Sequence, residues 1–300
     1  MTEEHKSGYV NIIGRPNVGK STLMNALVGE RLSIITNKPQ TTRHRIIGIW
    51  NDDNHQIIFS DTPGIIEDPN YGMHKYMNKF AYSIFDDADV VLFVVDKTDD
   101  YDGDELVFKL LKKVEVPIFL IVNKIDISTE EQIAEMEAKY SGWINFSQIF
   151  RISALLKENT TEIFTECKKL LPVFPPFYPK DQLTDRPEKF FVSEIIREKI
   201  LELYKEEIPY CAEVEIEKFE DTELRGEPFA RIFANIYVMR KSQKMILLGK
   251  GGSAIKKLGI ESRKTLEEFL GKRLHLELYV RVKDKWRDDD RLLKSFGYSQ

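Results

Sequence analysis

Gly14-Arg15-Pro16-Asn17-Val18-Gly19-Lys20-Ser21 sets two glycines, four residues between them, in front of a lysine and a hydroxyl. Glycines let a backbone curl until successive N–H groups converge on an anion, and a helix starting nearby adds the positive end of its dipole. Lys20 would bridge the β- and γ-phosphates of a nucleotide, and the Ser21 hydroxyl would ligate its Mg²⁺. A second glycine loop, Gly249-Lys250-Gly251-Gly252, has no Gly-Lys-Ser after it, so its chemistry must differ.

Three further short segments complete the first site. Asp61-Thr62-Pro63-Gly64 has D-x-x-G spacing: Asp61 would hold Mg²⁺ through water, and the Gly64 N–H would sense the γ-phosphate. In Asn123-Lys124-Ile125-Asp126, the Asp126 carboxylate can accept from guanine N1–H and N2–H₂ together. Adenine offers no such pair of donors, so GTP is selected over ATP. Ile152-Ser153-Ala154 would bring a backbone N–H, that of Ala154, to guanine O6. In this order these boxes specify a P-loop GTPase, with GTP, GDP and Mg²⁺ as ligands.

Thr41 and Thr42 lie between the P-loop and Asp61. Thr42, just before Arg43, is the better candidate to reach Mg²⁺ and the γ-phosphate, ordering its loop only when GTP is bound. Lys20, Thr42 and Gly64 are therefore the catalytic candidates, joined by Asn17 below. Ras-like GTPases place a water-orienting glutamine directly after D-x-x-G. Here Ile65 holds that position and cannot hydrogen-bond to water, so turnover without a partner is expected to be slow.

These residues need a scaffold that gathers them. Tyr9–Ile13, Gln56–Ser60, Val90–Val95 and Ile118–Val122 are near-continuous apolar runs, as strands buried on both faces require, and a box follows three of them while Asp96 follows the other. Thr22–Val28, Gly72–Phe85, Asp104–Lys113, Glu130–Lys139 and Thr161–Leu170 read as intervening helices. The alternation implies a doubly wound α/β domain with its ligand at the strand C-terminal ends. Residues 1–172 form this domain. A proline-dense stretch, 173–189, reads as an extended, stiff linker. Residues 190–300 change pattern: helix Phe191–Glu206, a strand around Val214 and Ile216, a second alternating Ile232, Ala234, Ile236 and Val238, helices Gln243–Leu248 and Ser253–Leu270, and a strand from Leu274 to Val282.

That α-β-β-α-α-β order, with the second glycine loop between its last two helices, is the order of a type II KH domain, an α+β fold. Its glycines would let a nucleotide backbone approach closely, while Lys250 adds charge beside a helix N-terminus. Single-stranded RNA is the expected ligand, with Lys256, Lys257, Arg263, Lys264, Lys283, Lys285 and Arg287 extending the surface. Trp286 among these cations either stacks on a base or packs in a core.

Charge agrees with this division. The net charge is −5, yet Arg231–Arg287 holds fifteen Lys/Arg against five Asp/Glu, a local +10, and Glu188–Glu227 holds six against thirteen, a local −7. A polyanion would meet the basic stretch rather than the average. With 42% hydrophobic and 31% charged residues the composition is that of a soluble protein with two cores. No apolar run is long enough to cross a membrane. Met1–Ser7 lacks an apolar signal core, so a cytoplasmic location is expected. Cys167 and Cys211 are isolated, which argues against a zinc site or disulfide framework.

With these residues in view the chain resembles the Era family of bacterial ribosome-assembly GTPases. Gly14–Ser21 with Thr22-Leu23, Gln40-Thr41-Thr42-Arg43-His44-Arg45, Asp61–Gly64 and Asn123–Asp126 fit its pattern. So do Tyr178–Pro187 and Gly249–Ser253. The match covers nearly the whole chain and no motif position departs from it. The resemblance implies binding to the single-stranded 3′ end of small-subunit (16S) rRNA through the KH domain, a role in 30S subunit assembly, and peripheral association with the inner face of the membrane. Asn17 resembles the asparagine that holds K⁺ in several GTPases of this wider class, where the ion offsets transition-state charge; the other reading is a loop-stabilising turn residue. A monomer is expected.

GTP would order Thr42 and the segment after Gly64, changing how the two domains dock and exposing the RNA groove until hydrolysis. The main alternative is a GTPase whose client is a protein or membrane, its C-terminal domain a docking module. Another is a constitutive RNA-binding protein with a structural GTP site.

Overall fold

The computed structural model describes residues 4–66, 68–103 and 105–298. Asp104, at which the third helix was expected to begin, lies outside them, as do Met1–Glu3. Two compact units emerge: one runs to Asp185, except that Asn70–Met73 group with the other, which continues from Arg186.

In the first unit the elements are β1 (Lys6–Ile13), α1 (Lys20–Val28), β2 (Ile46–Asn51), β3 (His55–Asp61), α2 (Gly72–Ser83), β4 (Val90–Val95), α3 (Leu106–Leu111), β5 (Ile118–Val122), α4 (Glu130–Ser141), β6 (Gln148–Arg151) and α5 (Thr160–Leu170). They build a six-stranded sheet ordered β2-β3-β1-β4-β5-β6. Only β2 runs antiparallel. Every residue of β4 is fully buried, as a strand covered on both faces demands. From β1 the chain turns first to β3 on one side and then to β4 on the other. That reversal opens a crevice at the C-terminal end of β1, where the P-loop begins. β1, β3, β4, β5 and β6 end at Ile13, Asp61, Val95, Val122 and Arg151, so their following loops converge on one edge.

The sequence reading missed β2 and β6. The proline-rich stretch bends at residues 177–178, turns at Lys180–Asp181, and is anchored to this unit as far as Asp185. Gln56 Oε1 accepts from the Phe177 and Tyr178 N–H groups at 2.7 and 3.0 Å, its Nε2 donates to the Tyr178 carbonyl at 2.8 Å, and the Ile49 N–H donates to the Leu183 carbonyl at 2.8 Å. Prolines leave few N–H groups in this strap, and those of residues 177 and 178 are taken up by one buried amide.

The second unit comprises α6 (Glu188–Leu203), α7 (Ile208–Cys211), β7 (Glu213–Leu224), β8 (Glu227–Val238), α8 (Lys241–Leu248), α9 (Ser253–Leu270), β9 (Arg273–Val282) and α10 (Asp290–Ser295). The sheet is ordered β7-β8-β9, with β7 antiparallel and β9 parallel to β8. Ala230, Ile232, Ala234, Ile236 and Val238 alternate onto the core face of β8, and Leu247, Leu258 and Leu266 meet them from the helices. The expected α-β-β-α-α-β order is borne out. The first helix stops at Leu203 rather than Glu206, where Tyr204 turns extended and its hydroxyl donates to the Leu247 carbonyl at 2.8 Å. Helices α7 and α10 were not anticipated. Cys167 and Cys211 are both buried free thiols, and burial pushes the Cys167 thiol up to about 12.

Candidate functional site

The P-loop owes its path to two positions no side chain can occupy. Gly14 has φ +150°, and a Cβ there would lie 2.3 Å from the Val94 carbonyl oxygen. Gly19, at φ +100°, would place one 2.3 Å from Asn123 Nδ2. Between them the chain turns back, and the buried Lys20 ammonium donates to the Gly14 and Arg15 carbonyls at 2.9 and 2.7 Å. Burial presses Lys20 below the usual lysine range, with Asp61 opposing that shift.

Ser21, Thr42 and Asp61 come together although 40 residues separate the outer two. Ser21 Oγ donates to Asp61 Oδ2 at 2.6 Å, Thr42 Oγ1 donates to the same oxygen at 3.4 Å, and the two hydroxyls are 3.1 Å apart. Thr41 points elsewhere, its hydroxyl donating to the Lys38 carbonyl at 2.6 Å, so Thr42 is the threonine at this cluster. Asp61 Oδ1 is buried without a hydrogen-bond partner. Burial raises the Asp61 pKa, opposed first by Lys20 and then by the hydroxyl donors. One unpaired carboxylate oxygen beside two hydroxyls is a hard-oxygen donor set that suits Mg²⁺. Gly64 lies against the P-loop, where an added Cβ would be 3.0 Å from Pro16 Cδ.

The Asn123–Asp126 segment is tied to the same loop. Asn123 Nδ2 donates to the Val18 carbonyl at 2.8 Å, and Asn123 Oδ1 accepts from the Ala154 N–H at 2.9 Å. The Lys124 ammonium donates to the Asn17 carbonyl at 2.7 Å and pairs with the buried Asp96 carboxylate. Asn17 itself, at φ +70°, donates its side-chain N–H to the Asn37 carbonyl at 3.0 Å. A cavity of about 310 Å³ is bounded by this assembly, with Lys20, Ser21 and Thr42 on one side and Lys124, Asp126 and Ser153 on the other. Leu155, 75% exposed, also lines it. The sequence reading missed this residue, although an apolar side chain directly after Ser153-Ala154 was a signal that could have found it.

Several expected site residues are placed otherwise. The Ala154 N–H donates to Asn123 Oδ1 at 2.9 Å. Ile65 packs against the apolar cluster that includes Ile84, Tyr101 and Val107, and Ile125 packs on the same core, so neither side chain turns to the nucleotide cavity. Arg15 contributes backbone only: its guanidinium stacks over Tyr101 at 4.1 Å and pairs with Glu105 at 3.1 Å and with Asp100. Val18 is buried, Pro63 lines a second cavity of about 210 Å³ beside Gly14, Arg15 and Pro16, and Thr62 borders both that cavity and the nucleotide cavity.

In the second unit Gly249, Gly251 and Gly252 take φ of +69°, +61° and +80°. A Cβ on Gly249 would lie 2.7 Å from Ala254 Cβ, so this glycine lets α8 close onto α9. Gly251 and Gly252 meet nothing within 4 Å and present open backbone. Lys250, in the loop, and Lys256, Lys257, Arg263 and Lys264 along α9 are exposed, as are Lys283 and Lys285 after β9. Met245, Ile246 and Ile260 stand 65, 51 and 50% exposed on the flanking helices. Met245 and Ile246 lie off the α8 face that buries Gln243 and Leu247, a pattern the sequence reading overlooked.

Trp286 is a correction. It is fully buried, its indole N–H donates to the Cys211 carbonyl at 3.0 Å, and Phe296 meets it edge-on. No face remains for a base. Arg287 is half-buried with its Nε 3.2 Å from Met239 Sδ.

Residues 9–124 match the family model of a 50S ribosome-binding GTPase, and residues 207–287 match that of a KH domain. GTPase Era of Lacticaseibacillus paracasei is 44% identical over 297 residues, 99% of this chain and 98% of that protein. GTPase Era of Geotalea daltonii is 43% identical over 300 residues, covering 99% of this chain and all of the relative. Among solved structures, Era in complex with MgGDPNP and nucleotides 1506–1542 of 16S ribosomal RNA superposes with a TM-score of 0.92 at 36% identity, covering 99% of this chain and 100% of that one. A variant of Aquifex aeolicus Era bound to GDP and AlF₄⁻ gives 0.90 at 36%, covering 98% and 100%. Likeness of this degree over 99% of the chain, with both family models matched, makes this chain a member of the Era GTPase family.

Proposed function

We propose that this GTPase is a switch that binds the 3′ end of small-subunit rRNA and acts in 30S subunit assembly. The observation that carries the reading is the presence of both sites on one chain whose full length resembles an Era solved with MgGDPNP and 16S RNA nucleotides. Lys20, released from two carbonyls that any anion can replace, would take the β- and γ-phosphates. Asp126 would read guanine N1 and N2, while Asn123 and Lys124 hold the base-reading and phosphate loops in register. Ser21, Thr42 and, through water, Asp61 would hold Mg²⁺. When bound, that ion neutralises charge shared by the β- and γ-phosphate oxygens.

Hydrolysis has Lys20, Gly64 and Thr42 to stabilise the phosphoryl oxygens but no side chain after Gly64 to orient water, which supports slow intrinsic turnover. The Asn17 side chain bonds through its N–H to Asn37, so its carbonyl oxygen is the atom that would hold K⁺. The RNA strand would lie against Gly251 and Gly252, with Lys250, Lys256 and Lys257 meeting phosphates and Met245, Ile246 and Ile260 offering apolar surface to bases. Among the described residues no helix is long and apolar enough to cross a membrane. The reading keeps a cytoplasmic monomer, peripheral at most to the inner membrane face.

Strand β2 begins four residues after Thr42 and carries the proline strap on its outer edge through Ile49 and Leu183. That continuity supports a link between nucleotide state and the RNA-binding unit. Lys20→Ala, unable to hold GTP, tests the link: its affinity for an rRNA 3′-end strand should stay at the GDP-state value whatever nucleotide is added. Wild-type affinity in every nucleotide condition would rule the coupling out.

A further inference from the structure

Arg45 carries a positive charge into the interior of the first unit, three residues beyond Thr42 and outside the nucleotide cavity. Its side chain is 8% exposed, and Nη1 lies 2.7 Å from Asp87 Oδ2. Nε donates to Ser60 Oγ at 2.7 Å, Nη1 reaches Ser83 Oγ at 3.4 Å, and Nη2 lies 3.5 Å from Asn11 Oδ1. Asn11, fully buried in β1, closes the knot by donating Nδ2 to the Ile84 carbonyl at 2.7 Å and to Asp87 Oδ1 at 2.8 Å.

The partners come from three places that matter to the switch. Arg45 closes the Thr42 loop, Ser60 is the residue before Asp61, and Ser83, Ile84 and Asp87 form the end of α2 and its exit turn. Helix α2 is the first helix after Gly64. We propose that Arg45 is a positioning residue that fastens the downstream end of the Thr42 loop to the end of α2, so that the two GTP-sensing loops order together. A buried guanidinium stays favourable only while its carboxylate and hydroxyl partners remain in place. Moving the loop end or the helix end alone would strand a charge, and moving both together would not. A fixed loop end also shortens the chain that GTP must order at Thr42. The inference rests on reading Thr42 and the segment after Gly64 as those sensors.

The test is the ratio of GTP-analogue affinity to GDP affinity, measured by fluorescent-nucleotide titration on the full-length protein. Arg45→Met should weaken the GTP analogue about tenfold while GDP changes by less than about twofold. Arg45→Lys should recover part of the ratio. Asp87→Asn, at a carboxylate 38% exposed and tolerant of change, should shift the ratio the same way by a smaller factor and decides the matter if Arg45→Met does not fold. Equal loss of both affinities, or a lowered Tm with the ratio intact, would reduce Arg45 to a plain structural ion pair and overturn the proposal. Thr42→Ala serves as the control: if it too leaves the ratio unchanged, the sensor reading itself fails and this inference falls with it.

Discussion

The Asn123 side-chain nitrogen lies 2.8 Å from the Val18 carbonyl, bonding the Asn123–Asp126 loop to the P-loop across 105 residues. The other end of the same amide holds the Ala154 N–H. One planar group thus sets the spacing between the two halves of the nucleotide cavity. Asn123→Ala would leave a buried carbonyl and a buried N–H unsatisfied, at about 1–3 kcal/mol each. Because neither group discriminates the third phosphate, affinities for GTP and GDP should both fall, by about tenfold or more. Titration with each nucleotide checks this, and a loss confined to GTP would speak against it.

Asp99 supplies a pH dependence. Burial, chiefly, raises its pKa from 3.8 to about 6, while its Oδ2 accepts from the Asp96 N–H at 3.0 Å. The folded state therefore binds the proton more tightly than the unfolded chain. Its contribution to stability is fully present below about pH 4 and is lost as pH rises through about 6. Partial exposure holds the effect to about 1–2 kcal/mol. Asp99→Asn keeps an acceptor for Asp96 and should remove that loss, so its urea midpoint at pH 7.5 should exceed that of wild type. An unchanged difference between the two proteins from pH 4.5 to 7.5 would refute the assignment.

Trp286 and the Met245–Ile246 pair should part company. Trp286→Ala empties a core position and should destabilise the second unit by about 3–5 kcal/mol, with RNA affinity of the folded fraction retained. Met245→Ser with Ile246→Ser alters exposed groups and should leave Tm nearly unchanged while weakening the rRNA strand about tenfold or more. Calorimetry beside strand binding separates the two patterns.

Potassium tests Asn17. If its side-chain Oδ1 holds the cation, GTP turnover in K⁺ should exceed that in Na⁺ by about tenfold or more. Asn17→Ala should lower the K⁺ rate to the Na⁺ rate without weakening GDP binding comparably. Equal rates in both salts would leave Asn17 as the loop residue that its bond to Asn37 already makes it.

Legibility followed burial and backbone geometry. β4 and β5 were readable because uninterrupted apolar runs have one use in an α/β domain. β6 was not, since Phe150 alone of its four residues is buried. β2 was missed because Gly48 interrupts its short buried run, which directly follows the Thr42 loop. The phosphate loop was legible because its glycines are demanded by φ and by contact. Directions of side chains were not: Ile65 turns to the core, Arg15 to Tyr101 and Trp286 beneath α10, and no spacing rule distinguishes these from their opposites. The strap on β2 was seen as proline-rich, but its anchor is Gln56, a polar residue inside a strand whose partners lie 121 and 122 residues away.

The most direct measurement is binding of a labelled strand copying the 3′ end of small-subunit rRNA, with a GTP analogue and then with GDP. Wild type is compared with a Lys250→Asp, Gly251→Asp double variant: residue 250 is exposed, and position 251, at φ +61°, faces open space and takes an aspartate, one of the side chains that best tolerates the left-handed region. The account predicts tight binding with the GTP analogue, weaker binding with GDP and none in the variant. Binding that ignores both the nucleotide and the glycine loop, or that is absent throughout, would contradict it and direct the search to a protein or membrane client.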